Sequence, residues 1–133
     1  MDALIVDTDV VSYVFKRDTR SALYRPHLVD RTLLISFMTV AELEWWVRWR
    51  NWGSRRRAAL EEHLQRYTVI DSDRALCRQW AEVYYQARQA GRVITPADAW
   101  IAATALLYRL PLVTHNHAHF DWISKLTVIS EAQ

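Results

Sequence analysis

Three carboxylates stand at equivalent places in this chain. Asp7 ends the apolar run Ala3-Leu4-Ile5-Val6, Glu42 falls in Ser36-Phe37-Met38-Thr39-Val40-Ala41-Glu42-Leu43, and Asp98 falls in Thr95-Pro96-Ala97-Asp98-Ala99-Trp100-Ile101-Ala102-Ala103. The first reads as the end of a strand, the other two as first turns of helices. In an α/β fold, strand ends and helix starts meet at one edge of the sheet, where such folds bind ligands. Carboxylates gathered there supply the oxygen donors a hard divalent cation needs.

Each acid also has a plain structural explanation. Thr39-Val40-Ala41-Glu42 reads as a capping box, with Thr39 at the N-cap and Glu42 three residues on. Thr95-Pro96-Ala97-Asp98 is nearly another, and an acid in a first turn favours the helix dipole. Asp7 could simply close a strand in a turn. These explanations weaken when the three elements converge on one sheet edge.

The elements that must do this positioning alternate along the chain. Strands are predicted at 3–6, 33–36, 68–70, 112–113 and 126–129. Helices are predicted from Val10 to Phe15, capped by Thr8 or Asp9, and from Arg20 to Val29 around Pro26. Further helices run from Thr39 to Trp52, closed by Gly53 at C′, and from Arg55 to Arg66. A long one capped by Ser72 or Asp73 ends before Gly91, and the last begins at Thr95-Pro96 and reaches Tyr108. Short apolar strands alternating with helices specify an α/β fold, a central mainly parallel sheet of about five strands flanked by helices in three layers.

Composition agrees. A length of 133 residues fits one domain over 1–133, and half the residues are apolar, enough for a core without staples. The single cysteine, Cys77, forms no internal disulfide, which fits a reducing cytoplasm, and the four-residue apolar run at the start is too short for a signal peptide or membrane span. The net charge of +2 selects no partner, but six arginines lie between Arg48 and Arg66 against two acids, Glu61 and Glu62. Such a face suits phosphate or merely keeps a helical hairpin soluble.

Four segments together resemble the PIN-domain ribonucleases, in particular the VapC-type toxins of bacterial toxin–antitoxin pairs. They are Leu4-Ile5-Val6-Asp7-Thr8-Asp9, Ser36 to Leu43, Gly91 to Thr104, and Leu112-Val113-Thr114-His115-Asn116-His117-Ala118-His119-Phe120. The resemblance covers essentially the whole chain. It implies that Asp7, Glu42 and Asp98 bind Mg²⁺ or Mn²⁺ and are required for RNA cleavage leaving a 5′-phosphate and a 3′-hydroxyl. A held cation orients and activates water and clamps the phosphate, whereas bare carboxylates repel it. A fourth family acid is matched here by Asn116, which adds no charge, while Asp9 stands where the family usually has Asn and returns a carboxylate. Thr8, Asp9 and Thr114 are the neighbours expected to support the ligands. The resemblance also implies a cognate antitoxin, an RNA substrate and a homodimer.

Other features compete. Val40, Leu43, Trp46 and Val47 form one apolar stripe on their helix, and Ala41, Trp45, Trp49 and Trp52 a second. Either the Arg55–Arg66 helix folds over the second stripe or Trp45, Trp49 and Trp52, with Arg48, Arg55 and Arg56, meet the antitoxin or RNA. His115, His117 and His119 alternate as a strand-borne zinc set would, but a short helix is expected there and would break the alternation. Cys77, Trp80, Val83, Tyr84 and Ala87 read as a core face. Asp7-Thr8-Asp9-Val10-Val11 also looks like the start of a haloacid-dehalogenase phosphatase, although the only lysines are Lys16 and Lys125. A catalytically silent RNA- or protein-binding module is the remaining alternative.

Overall fold

Alternation along the first strand sorts the molecule into layers. The computed structural model describes residues 2–133. In β1 (Ala3–Val6), Leu4 and Val6 pack into one apolar cluster and Ile5 into the other, all fully buried. The chain then runs through α1 (Thr8–Lys16), α2 (Ser21–Leu28), β2 (Thr32–Ser36), α3 (Phe37–Trp49) and α4 (Ser54–Leu64). It continues through β3 (Thr68–Ile70), α5 (Arg74–Gln89), α6 (Pro96–Tyr108), β4 (Leu112–Val113), α7 (His117–Phe120) and β5 (Val128–Ile129). The five strands are all parallel, in the order β3-β2-β1-β4-β5.

Tyr24, Leu43, Val47 and Leu60 of α2, α3 and α4 cover one face with Val10 and Val11 of α1. Leu76, Val83 and Ala87 of α5, the alanine-rich α6 and Phe120 cover the other. Burying each such Leu, Ile or Val contributes about 1.5–3 kcal/mol. The small side chains Ala99, Ala102, Ala103 and Ala105 let α6 sit close against the sheet. Strand order reverses at β1, which has β2 on one side and β4 on the other, so a crevice opens between the carboxyl ends of β1 and β4.

Several predicted boundaries shift for identifiable reasons. Helix α3 begins at Phe37 rather than after Thr39, because Ser36 leaves its strand in extended backbone and its Oγ accepts from the Met38 N–H at 3.0 Å. Gly53 does not close α3. Asn51 takes the left-handed position there (φ 50°), and Gly53 is the extended N-cap of α4. The last strand begins at Val128 rather than Leu126, after a turn in which Lys125 is left-handed (φ 68°). Cys77 is exposed, because the buried stripe of α5 is centred on Leu76, Val83 and Ala87, one position round the helix. The Asp73 cap, the end of α5 before Gly91 and the Thr95 cap with Pro96 at N1 stand as predicted, and Gly91 is left-handed. No helix among the described residues is long and apolar enough to cross a membrane.

His63 is buried beside Phe15 and bonds the Tyr67 hydroxyl at 3.1 Å. Burial first, and the charge of Arg66 second, push its pKa down to about 4. The unfolded chain takes up that proton near pH 6.5 and the folded chain does not, so acid favours unfolding. Thermal unfolding of the parent against His63→Gln from pH 7 to pH 4 is expected to show the parent losing ground as pH falls. A pH-independent gap would contradict this assignment.

Candidate active site

Asp7 leaves β1 still tied to the sheet, its N–H donating to the Val113 carbonyl at 2.9 Å. Asp7, rather than the predicted Thr8 or Asp9, is also the N-cap of α1, and its carboxylate is held at both oxygens. Oδ1 accepts from the Thr8 N–H at 2.7 Å and Oδ2 from the Thr114 hydroxyl at 2.7 Å. The Thr114 oxygen in turn accepts from the Asn116 N–H at 3.0 Å, which fixes the direction of its proton toward Asp7. Asp9 lies across the same strand end: its Oδ2 accepts from the His115 N–H at 3.0 Å and its Oδ1 from the Val10 N–H at 2.7 Å. The carboxylate added at position 9 therefore does stand beside Asp7 and the Asn116 segment.

Glu42 is in the second turn of α3, because the helix starts at Phe37. The capping-box explanation thus fails, and the side chain serves a different purpose. Its Oε1 accepts from the Thr8 hydroxyl at 2.7 Å, so Thr8 joins Asp7, through its backbone, to Glu42, through its side chain. Asp98 keeps its first-turn position. Its N–H donates to Thr95 Oγ at 3.1 Å, and its Oδ2 lies 3.0 Å from His119 Nδ1.

The electrostatics are those of crowded negative charge. Burial, and next the charge of Asp9, hold the Asp7 carboxyl well above the usual carboxylate range, against the pull of Thr114 and Thr8. Burial also raises Asp9, opposed by the His115 and Val10 N–H groups. Burial raises Glu42, which the Thr8 hydroxyl opposes and the charges of Asp98 and Asp9 reinforce. Among the described residues, no Lys or Arg forms an ion pair with any of the four acids. The N-termini of α1, α3 and α6 point their positive ends at this edge and offset part of the repulsion.

The donor set of four carboxylates and threonine hydroxyls fits a hard divalent cation. As arranged, no three His, Cys, Asp or Glu side chains among the described residues close on one point. The three histidines scatter. His115 bonds buried Tyr24, His117 faces Asp121, and His119 meets Asp98, so they form no zinc set. A concavity of 780 Å³ lies at the other edge of the sheet, lined by Glu82, Arg109 and Lys125 among others, and none of the four acids reaches it.

The second stripe predicted for a helix running to Trp52 is broken, because α3 ends at Trp49 and left-handed Asn51 takes Trp52 out of the helix. Trp52 is half-buried, with its ring centroid 5.8 Å from that of Phe15, and Arg56 lies 4.4 Å over it. Trp45 and Trp49 are 57% and 72% exposed and stack on each other at 5.6 Å. Arg48 and Arg55 are exposed. Helix α4 covers Trp52 and leaves the other two indoles bare. Sequence reasoning missed Thr39 as a site neighbour, taking it for a cap, and missed His119 against Asp98. The spacing of Thr39 and Glu42 on one helical face was the available signal for the first.

The PIN domain family model matches residues 4–126. "Ribonuclease VapC2" of Haemophilus influenzae is 29% identical over 122 residues, covering 92% of each chain. The "tRNA(fMet)-specific endonuclease VapC" of Shigella flexneri is 26% identical over 122 residues, again 92% of each chain. Among solved structures, VapBC-5 of Mycobacterium tuberculosis, a member of the VapBC family of toxin-antitoxin systems, superposes with a TM-score of 0.71 at 26% identity over 98% of this chain and 99% of that one.

A buried carboxylate kept among other carboxylates weakens the fold. Asp7→Asn, measured in EDTA at neutral pH, is expected to raise the melting temperature, by the equivalent of about 1 kcal/mol. A lowered melting temperature would show that the hydrogen bonds of Asp7 outweigh its desolvation.

Proposed function

The chain belongs to the PIN-domain family, and on that premise we propose that it is a metal-dependent endoribonuclease toxin, neutralised by a cognate antitoxin. The observation that carries the reading is the gathering of Asp7, Asp9, Glu42 and Asp98 at the carboxyl ends of β1 and β4 with no basic side chain paired to any of Asp7, Asp9 and Glu42. The phosphatase reading lacks support beyond its first segment, and the family match displaces it.

Asp7, Glu42 and Asp98 are the proposed ligands of Mg²⁺ or Mn²⁺, with Asn116 at the rim and Asp9 restoring the charge that Asn116 lacks. When bound, such a cation activates water and stabilises charge on the scissile phosphate. The chain itself does the rest. Thr8 and Thr114 each hold one carboxylate oxygen in place, of Glu42 and of Asp7 respectively. The positive ends of three helices favour the ionised carboxylates, against the effect of burial.

Cleavage of single-stranded RNA is expected with Mg²⁺ or Mn²⁺ and to vanish in excess EDTA, with Asp98→Asn slower by about a hundredfold. Full activity in EDTA would overturn the reading, and RNA binding without metal-dependent cleavage would favour a silent binding module. The proposed setting is the cytoplasm, and the proposed assembly a homodimer, read by light scattering.

The antitoxin is proposed to seat on the exposed Trp45–Trp49 stack, with Arg48 at its side, since bare aromatic rings flanked by Arg are the composition of interface hot spots. Trp49→Ala is expected to weaken antitoxin binding by about 2 kcal/mol or more in calorimetric titration, and to leave RNA cleavage by the free chain unchanged. Unaltered affinity would move the interface elsewhere.

A further inference from the structure

We infer that Thr39 is a positioning residue for Glu42, acting through the hydroxyl of Thr8. The inference rests on Glu42 serving as a cation ligand. Thr8 Oγ lies 2.7 Å from Glu42 Oε1 and 2.9 Å from Thr39 Oγ. A threonine hydroxyl has one hydrogen, and an ionised carboxylate only accepts. Thr8 therefore gives its proton to Glu42, and the contact between the two threonines is Thr39 donating to Thr8. The order Thr39 to Thr8 to Glu42 is the one proton arrangement that satisfies both distances with Glu42 ionised.

Burial makes this arrangement specific. Thr39 is fully buried and Thr8 nearly so. An unpaired hydroxyl there costs about 1–3 kcal/mol. A helical threonine can turn Oγ back to the carbonyl one turn earlier. Thr104 of α6 does so, bonding the Trp100 carbonyl at 2.8 Å. Thr39 bonds across to α1 instead, reaching a residue 31 positions away. The donated bond polarises the Thr8 hydroxyl and holds its oxygen in place, so that Oε1 of Glu42 is engaged and Oε2 is the oxygen left to face the crevice.

The relay separates Thr39 from a merely structural hydroxyl through cation affinity. Mn²⁺ binding to the full chain is read by electron paramagnetic resonance of the free ion, and independently by the rise in melting temperature that Mn²⁺ causes. Thr39→Val keeps the shape and removes the donor, and it is expected to bind Mn²⁺ about tenfold more weakly. The metal-activation curve of RNA cleavage should shift by the same factor. Thr39→Ser restores the donor and is expected to return both readouts to within about twofold of the parent. Thr39→Ala, read alongside, keeps the test decisive should Thr39→Val fail to fold. Parental binding in Thr39→Val or Thr39→Ala overturns the relay alone, as does equal loss in Thr39→Ser. A parent chain that binds no Mn²⁺ overturns the cation reading, and the relay with it.

Discussion

Like charges in a partly buried space repel, and four carboxylates at one sheet edge set the terms for everything packed around them. Their repulsion is not neutralised by lysine or arginine. It is contained by donors that carry no net charge: backbone N–H groups of Thr8, Val10 and His115, hydroxyls of Thr8 and Thr114, and the starts of three helices. Among the described residues, Asp98 alone of the four has an imidazole within ion-pair distance, with His119 Nδ1 at 3.0 Å. Neutral donors fix the direction of a carboxylate without cancelling its charge. The parallel sheet is what allows this, because only parallel strands bring so many strand ends and helix starts to the same edge.

The cost of this arrangement is spread through the fold. Asp7 is buried, and both burial and the charge of Asp9 work against its ionised form. The small-residue face of α6 and the two apolar clusters supply the compensating burial. Helix α3 serves both demands at once: Leu43 and Val47 anchor it in the core while Thr39 and Glu42, on an adjoining face, meet Thr8.

Much of this was legible in the residues. Strand ends at Asp7 and Thr114, the Thr95 cap with Pro96, and the long helix from Arg74 follow from local patterns, and the structure repeats them. What local patterns could not supply was the choice between equals. Ser36 and Thr39 are both competent caps, and the winner is the one whose backbone is already extended as it leaves the sheet. Gly53 and Asn51 compete in the same way for the left-handed position after α3. The link from Thr8 to Glu42 spans 34 residues and exists only once β1 and β2 pair, so no window along the chain contains it. The break in the tryptophan stripe is set by the end of α3 at Trp49, and the covering of Trp52 by where α4 comes to rest.

The turns carry one more consequence. The three helices that begin at the acid edge, α1, α3 and α6, each end in a left-handed residue that is not glycine: Arg17, Asn51 and Arg109. Left-handed backbone costs an ordinary L-residue about 1 kcal/mol, and glycine avoids that cost. Glycine, however, leaves the unfolded chain more conformations to lose. With only two glycines in 133 residues, this chain accepts local strain in the native state and narrows its denatured ensemble instead. Its resistance to unfolding therefore depends partly on how little freedom the open chain regains, a property that no contact in the folded molecule records.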